Sequence, residues 1–400
     1  MASRRQDLTV IAALWLMVLA SSSQVMIIAP ILPRIGDALQ VPEALQGTLI
    51  TGYAVALSGM AIIAGPISDR IGRRRILLYG TGAMSVALCL HPLSNSFATL
   101  LGARVLAGLA GGILTGSAVS FVGDYFPYER RGWASGWVMS GFAVGQIAGV
   151  PAGTILAGAY GYRAPFLLFA VTMGGAFLVT LLFVPQPDVA RSTESLSIGG
   201  VLRGYLELLR NPAVSGAAAA YAAMFFSISA FVVYLPTWGE QDLGMSSRDV
   251  ALMFAAGGVA NILTGPRAGQ LSDRFGRRPL IIFSCVGTAA LFVTSTFWVK
   301  EPWTAWVLFF LIMVLVATRI SPFQALLTTL APAQSRGALM SLVVAVGQIG
   351  GGLGGAAAGP IYAAGGFLAC TLAAAGALLV TGAIVAARIP EPKSRNLGAV

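Results

Sequence analysis

Charge is scarce in this chain. Asp, Glu, Lys and Arg together make up 10% of its 400 residues, where a soluble domain carries about 25%. A polar surface cannot be built from so little, so a water-soluble globule is excluded. There is one histidine and there are three cysteines, Cys89, Cys285 and Cys370, all far apart. That set supports neither a disulfide framework nor a metal site. His91 stands in "CLHPLSN", read as the turn between spans 3 and 4, with no second ligand nearby. No phosphate-binding loop and no nucleophile–base set is present, so the motifs support neither an enzyme nor an ATP-driven machine.

What is present is apolar. Hydrophobic residues make up 56% of the chain, and the mean hydropathy is +0.81. The charges cluster, and long neutral stretches separate them, including 8–33, 44–68, 76–103, 132–162 and 337–387. A spanning helix needs about 20 apolar residues. Splitting the neutral stretches at their Gly, Pro and charged breaks predicts twelve spans. They cover 8–33, 44–67, 75–93, 97–122, 133–157, 163–184, 213–238, 247–269, 279–299, 303–328, 337–361 and 366–388. The runs are continuous and about twice as long as the 10-residue alternating strands of a membrane barrel. The fold expected is an all-α membrane protein. Span 1 follows Arg4 and Arg5 but is longer than a signal peptide's apolar core, so it is read as an uncleaved helix.

The net charge of +10 comes from placement rather than from nucleic-acid binding. With both termini cytoplasmic, nineteen Lys and Arg fall on the inner face and four on the outer. The four are Arg34, Arg163, Arg248 and Lys300. This is a positive-inside pattern and it predicts the orientation.

The chain also repeats itself. "GPISDRIGRRR" at 65–75 returns as "GQLSDRFGRRP" at 269–279. Leu32-Pro33 returns as Leu235-Pro236, and Arg131-Gly132 as Arg336-Gly337. Span 5 carries Gly141, Gly145, Gly149 and Gly153, with Pro151 among them, and span 11 carries Gly347, Gly351, Gly355 and Gly359. Two six-span halves, 1–184 and 213–400, follow, joined by a linker at 185–212 with a short amphipathic helix. An even number of spans makes the repeat parallel. The glycine ladders are read as close packing that lets the halves rock.

With these residues in view, the chain resembles the major facilitator superfamily over essentially its whole length. The doubled loop is similar to that family's Gly-x-x-x-Asp-Arg-x-Gly-Arg-Arg signature. "RVLAG" at 104–108 is similar to the Arg-x-x-x-Gly element of twelve-span drug–proton antiporters. "GFAVGQIAGVPAG" at 141–153 is similar to their glycine-rich motif, without its Gly-Pro pair, and "GYRAPF" at 161–166 opens span 6 as in bacterial sugar- and drug-efflux members. The resemblance implies alternating access, a cargo site between the halves, and an inner gate. In that gate Asp69, with Arg70 beside it, would cap the start of span 11. Asp273 would cap the start of span 5, and Arg73 would pair with Asp69 and Asp124. Arg277 lacks a carboxylate counterpart, because position 329 is Thr, so the relay should be lopsided. Arg74, Arg75 and Arg278 are read as topology signals.

Two charges lie inside the predicted spans, Arg104 and Arg319, and no acid does. An ionisable residue in a bilayer costs about 2.5–3.5 kcal/mol or more, so each needs a partner or water. Gln24, Tyr53, Gln146, Tyr221, Asn261, Gln324 and Gln348 are the other polar candidates for cargo or coupling. Phe225, Phe226 and Trp137 are candidate apolar walls. Two cargo readings stand: amphipathic drug- or sugar-like molecules exported by proton antiport, or anionic or lipid-like cargo held by the arginines without proton coupling. A non-transporting scaffold is the third reading, and the intact pair of gate motifs weighs against it. The expectation is a monomer in a bacterial-type inner membrane. Its partners are a small-molecule or lipid-like substrate and membrane lipid, with no nucleic acid. No cofactor or metal is expected beyond a proton gradient as the drive.

Overall fold

A computed structural model describes residues 2–187, 198–327, 329–330 and 336–391. Among the described residues every regular element is a helix. α1 runs over Ala2–Met26 and continues as Ile28–Leu39. α2 is Thr48–Ile71 and α3 Arg73–Leu93. α4 is Phe97–Leu114 continued by Ser117–Tyr125. α5 is Tyr128–Val144, a π-helical turn Gly145–Gly149, and Val150–Tyr160; α6 is Arg163–Phe183. A linker helix, Ile198–Leu209, precedes α7, which is Pro212–Val232 continued by Leu235–Asp242. α8 is Ser247–Phe275, α9 Arg277–Trp298 and α10 Pro302–Leu327. The last helical stretch, Arg336–Arg388, is two helices, because Gly365 and Gly366 leave helical geometry. These are α11 (336–364) and α12 (367–388), which makes α1–α12 twelve long helical stretches among the described residues.

The ends follow local chemistry. Ser96 and Ser246 start α4 and α8 with reciprocal capping boxes, which satisfy amides that otherwise have no partner. α8 bends by 46° between Ser247–Gly265 and Arg267–Phe275. Proline at 266 lacks the amide that would continue the ladder. Gly72 (φ 102°) and Gly276 (φ 92°) sit in the two copies of the repeated loop. A side chain is strained at that φ, which explains the glycine in Asp-Arg-x-Gly.

The helices outrun their neutral tracts. α1 therefore takes in Asp7 and α4 takes in Asp124 at the arginine-rich end. Asp7 is buried, and its carboxylate accepts from Arg130 at 2.7 Å. The ion pair ties the start of α1 to the start of α5. Hydropathy missed it because a charged residue ended the count.

Helices α1–α6 pack among themselves, and α7–α12 do likewise. The two groups meet where α2 crosses α11 and where α5 crosses α8. The glycine ladder of α5 lies on α1: a Cβ at Gly145 would fall 2.2 Å from Ser22 Oγ, and one at Gly149 2.0 Å from Ser23 Oγ. The ladder of α11 serves two neighbours. Gly347 and Gly351 face α7 at Tyr221 and Phe225, whereas Gly355 and Gly359 face α2 and the residues just before it. Only the second set bridges the groups. Pro151 lies just past the π turn, in the first turn of Val150–Tyr160.

Candidate functional site: a cleft open at the arginine-rich end

The contacts between the two helix groups are graded along the molecule. At the end away from the repeated loops they are tight. A Cβ at Gly47 would fall 1.9 Å from Gly355 O, one at Gly359 2.4 Å from Ala44 O, and one at Gly158 2.4 Å from Ser247 Oγ. Midway, a Cβ at Gly258 would meet Ile147 at 2.7 Å. Toward the arginine-rich end, Gly132, Gly136 and Gly265 would each meet nothing within 4 Å. Large apolar side chains are exposed there, among them Trp137 on α5 and Leu263, Leu271 and Phe275 on α8. The groups are thus sealed at one end and parted at the other.

Polar contacts complete the seal. Arg34 Nη1 donates to Glu240 Oε1 at 2.9 Å and Arg34 Nη2 to Ser247 Oγ at 2.5 Å. The Tyr234 hydroxyl donates to the Glu43 carbonyl, and Tyr362 donates to Gln241 at 2.9 Å. Thr51 and Ser58 of α2 donate to Gly352 O and Ala345 O of α11 at 2.6 and 3.0 Å. The Arg34–Glu240 latch was not foreseen in the sequence. The available signal was an arginine on the sparsely charged face, next to the repeated Leu-Pro pair.

At the parted end, Arg73 Nε donates to Asp124 Oδ2 at 2.5 Å and Arg73 Nη1 to Ser68 Oγ at 2.9 Å. The side chains of Asp69 and Arg336 lie outside what the structure describes, so the cap expected at the start of α11 does too. Arg70 is exposed. Asp273 does not cap α5 in this structure. Its side chain is 69% exposed, and Arg277, the first residue of α9, is 3.7 Å away. The reason is geometric: the start of α5 stands apart from α8, and a Cβ at Gly132 or Gly136 would meet nothing within 4 Å. Arg277 donates to Ala325 O at 2.9 Å, a backbone carbonyl where its counterpart Arg73 has a carboxylate.

The next arginine of each loop does more than set topology. Arg74 donates to Val184 O and Leu181 O at the end of α6 (2.6 and 2.7 Å), and its amide donates to Gln186 Oε1 at 3.1 Å. Arg278 donates to Ala386 O at the end of α12. Glu391 accepts the amides of Arg277 and Arg278 at 2.8 and 2.7 Å. Pro-Gln-Pro (185–187) and Pro-Glu-Pro (390–392) are therefore one repeated device. Each places a side-chain acceptor on the free amides that start the next helix. Removing such a cap costs about 0.5–2 kcal/mol. Glu391→Ala is expected to lower the melting temperature more than Gln186→Ala, since it strips two amides rather than one. A thermal-unfolding comparison of the two variants checks this.

Neither intramembrane arginine faces the cleft; both are 1% exposed. Arg104 lies among α1, α2 and α4. It donates to Gln24 Oε1 at 3.0 Å and to Leu49 O at 3.4 Å, and stacks on the Tyr53 ring at 4.4 Å. Gln24 in turn donates to the Tyr53 hydroxyl at 3.1 Å. Glycines on α4 make the cage: a Cβ at Gly108 would fall 2.4 Å from Tyr53 O, and one at Gly111 2.5 Å from its hydroxyl. A desolvated cation–π contact contributes about 2 kcal/mol, and the hydrogen bonds add to it, so the cation is stabilised without a carboxylate. Arg319 turns toward α9 and donates to Thr288 Oγ1 at 3.2 Å, while its Nε is unpartnered. His91 is also buried, in the last turn of α3, stacked on Phe166 at 4.3 Å. The turn placement expected for it is corrected, because α3 continues through Leu93.

The polar groups left near the cleft are amides. Gln146 on α5 and Asn261 on α8 are half-buried and 3.5 Å apart. Gln348 and Phe226 are half-buried as well, and Gln324 is exposed. Tyr221 is buried against Phe225 and Phe323 inside the second helix group.

The sequence profile of the Major Facilitator Superfamily matches residues 14–293 and 240–399. Multidrug resistance protein MdtG of Salmonella paratyphi C is 26% identical over 377 residues, 91% of either chain. The uncharacterized MFS-type transporter YceJ of Bacillus subtilis is 26% identical over 271 residues, 68% of either chain. Among solved structures, a D-xylose–proton symporter superposes with a TM-score of 0.76 at 16% identity, covering 98% of this chain and 99% of its own. The human organic anion transporter MFSD10 gives 0.68 at 17% identity, covering 96% and 99%. At these identities the solved structures bear on the fold alone.

Proposed function

The chain belongs to the Major Facilitator Superfamily, and on that premise we propose that it exports small amphipathic molecules by alternating access. The arginine-rich end faces the cytoplasm of a bacterial inner membrane, as the positive-inside pattern supports. The cleft is then open inward and sealed outward. The observation that carries the reading is this cleft, whose described lining is apolar apart from the exposed Arg267, which lies one turn from Leu263 and one turn from Leu271 on α8. Relatives named multidrug resistance proteins align with 91% of the chain and support efflux as the direction. The anionic reading loses its support, because Arg104 and Arg319 point into their own helix groups and cannot serve as counter-ions in the cleft.

Proton antiport supplies the drive in this reading. Among the described residues, the carboxylates paired with arginine at the inward-open end are Asp124 with Arg73, Asp7 with Arg130 and Asp273 with Arg277. The test uses inverted membrane vesicles energised with a proton gradient. A lipophilic fluorescent dye is expected to accumulate inside, and a protonophore to release it. Accumulation that ignores the protonophore would remove the proton coupling. No accumulation of any amphiphile would remove the exporter reading.

A further inference from the structure

Midway along the molecule, four helices bring two amides and two thioethers together. Asn261 Nδ2 on α8 lies 3.5 Å from Gln146 Oε1 on α5. Gln146 Nε2 lies 3.3 Å from Met26 Sδ on α1, and Asn261 Nδ2 lies 3.8 Å from Met313 Sδ on α10. Two of these helices belong to each half. One turn before Asn261, Gly258 packs against Ile147 and the seal begins. One residue after it, Ile262 and Leu263 are exposed. The amides therefore stand at the closed end of the cleft, where a cargo molecule entering from the open end must stop.

Their bonding is poor. A primary amide offers two donors and two acceptor lone pairs. Here the donors meet a thioether, a weak acceptor, or a carbonyl at the long limit of a hydrogen bond. No Asp, Glu, Lys or Arg occurs in 8–33, 132–162, 250–266 or 302–318, the stretches that hold these four residues; the first charges beyond them toward the open end of α8 and α10 are Arg267 and Arg319, six residues from Asn261 and Met313. Met side chains are polarisable and adapt to irregular apolar shapes.

Resting on the exporter reading above, we propose that Gln146 and Asn261 form a cross-half amide pair that cargo replaces, and that they select uncharged cargo. The class is a neutral amphiphile carrying a hydroxyl or amide that both donates and accepts, attached to an apolar body. Such a group takes up the unused capacity of both amides at once and bridges the halves. An organic cation or anion finds no counter-charge and must shed its hydration. Binding at this point also acts on the seam itself, because it exchanges the one direct polar contact between α5 and α8 among the described residues.

The test is ligand binding to the purified full-length protein in detergent, read by thermal stabilisation and titration. Three probe panels are used: neutral amphiphiles including chloramphenicol, organic cations including tetraphenylphosphonium, and organic anions including fluorescein. Neutral probes are expected to bind best. Gln146→Leu and Asn261→Leu should each weaken them by about tenfold, the loss of one hydrogen bond to an otherwise unpaired partner. Gln146→Glu should shift preference toward the cations by a similar factor, with its ligand-free melting temperature near that of the wild type. A purely structural amide pair would not move charge selectivity, so an unchanged preference in Gln146→Glu overturns the proposal. So does a wild type that prefers either ion panel. If dye accumulates in vesicles yet no neutral probe binds, the amide pair falls and the exporter reading stands. If neither occurs, both fall.

Discussion

Gly47→Ala is expected to drive the transporter out of the inward-open state. The new Cβ would lie 1.9 Å from the backbone oxygen of Gly355, a contact that no side-chain motion relieves. Helices α2 and α11 must part there. Alternating access requires them to part at this end in the outward-open state, so the same methyl is tolerated in that state. Overpacking of this kind costs about 1–3 kcal/mol, and each 1.4 kcal/mol shifts a two-state ratio about tenfold. The inward-open fraction should therefore fall by roughly 10- to 100-fold. The reporter is Gly136→Cys. This position has nothing within 4 Å and lies three turns before Ile147 on the face of α5 that meets α8. Cys89 is replaced by Ser, since it is the exposed native thiol. Alkylation by a bulky polar maleimide should be slower in Gly47→Ala by about the same factor. Equal rates would mean that the seal at Gly47 does not govern the opening.

Asp124→Asn is the second large effect, and its asymmetry with the other half is the informative part. Arg73 meets Asp124 at 2.5 Å, with the two side chains 20% and 24% exposed. A hydrogen bond between charged groups in such a half-buried setting contributes about 1.5–3 kcal/mol. It joins the end of α4 to the turn between α2 and α3. The matching Arg277 donates to the carbonyl of Ala325, and the carboxylate beside it, Asp273, is exposed and 3.7 Å away. Transport should fall by about tenfold or more in Asp124→Asn and in Arg73→Ala, but by only about threefold in Arg277→Ala. Initial rates of dye efflux, corrected for the amount of protein in the membrane, give the comparison. Equal losses in the two halves would show that the carboxylate is not what makes the first half dominant.

Both predictions use features of very different visibility in the sequence. The glycines of α11 stand out as a ladder, but the ladder does not say that Gly347 and Gly351 serve α7 while Gly355 and Gly359 serve α2. That division depends on how α11 is rotated between its neighbours. The Arg73–Asp124 pair could be anticipated from the family resemblance, and the structure holds it. Arg34–Glu240 could not, since its partners are 206 residues apart and each looks like an ordinary loop charge. Arg74 and Arg278 looked like topology signals because their acceptors are backbone carbonyls, which every sequence has.

The one-dimensional pattern determined the membrane class, the twelve spans, the duplication and the family. These follow from apolar runs long enough to cross a bilayer and from spacing that recurs about 204 residues later. Both are properties of the chain before it packs. The direction of each polar side chain was decided only by packing. Arg104 and Arg319 are cargo candidates on sequence alone, yet a rotation of less than half a turn about the helix axis separates the cleft from the bundle interior. The glycines of α4 brought Tyr53 and Gln24 around Arg104 and took all three out of the cleft. Midway along it stands a pair of amides beside two methionines, and the proposed preference for neutral cargo rests on their lack of charge.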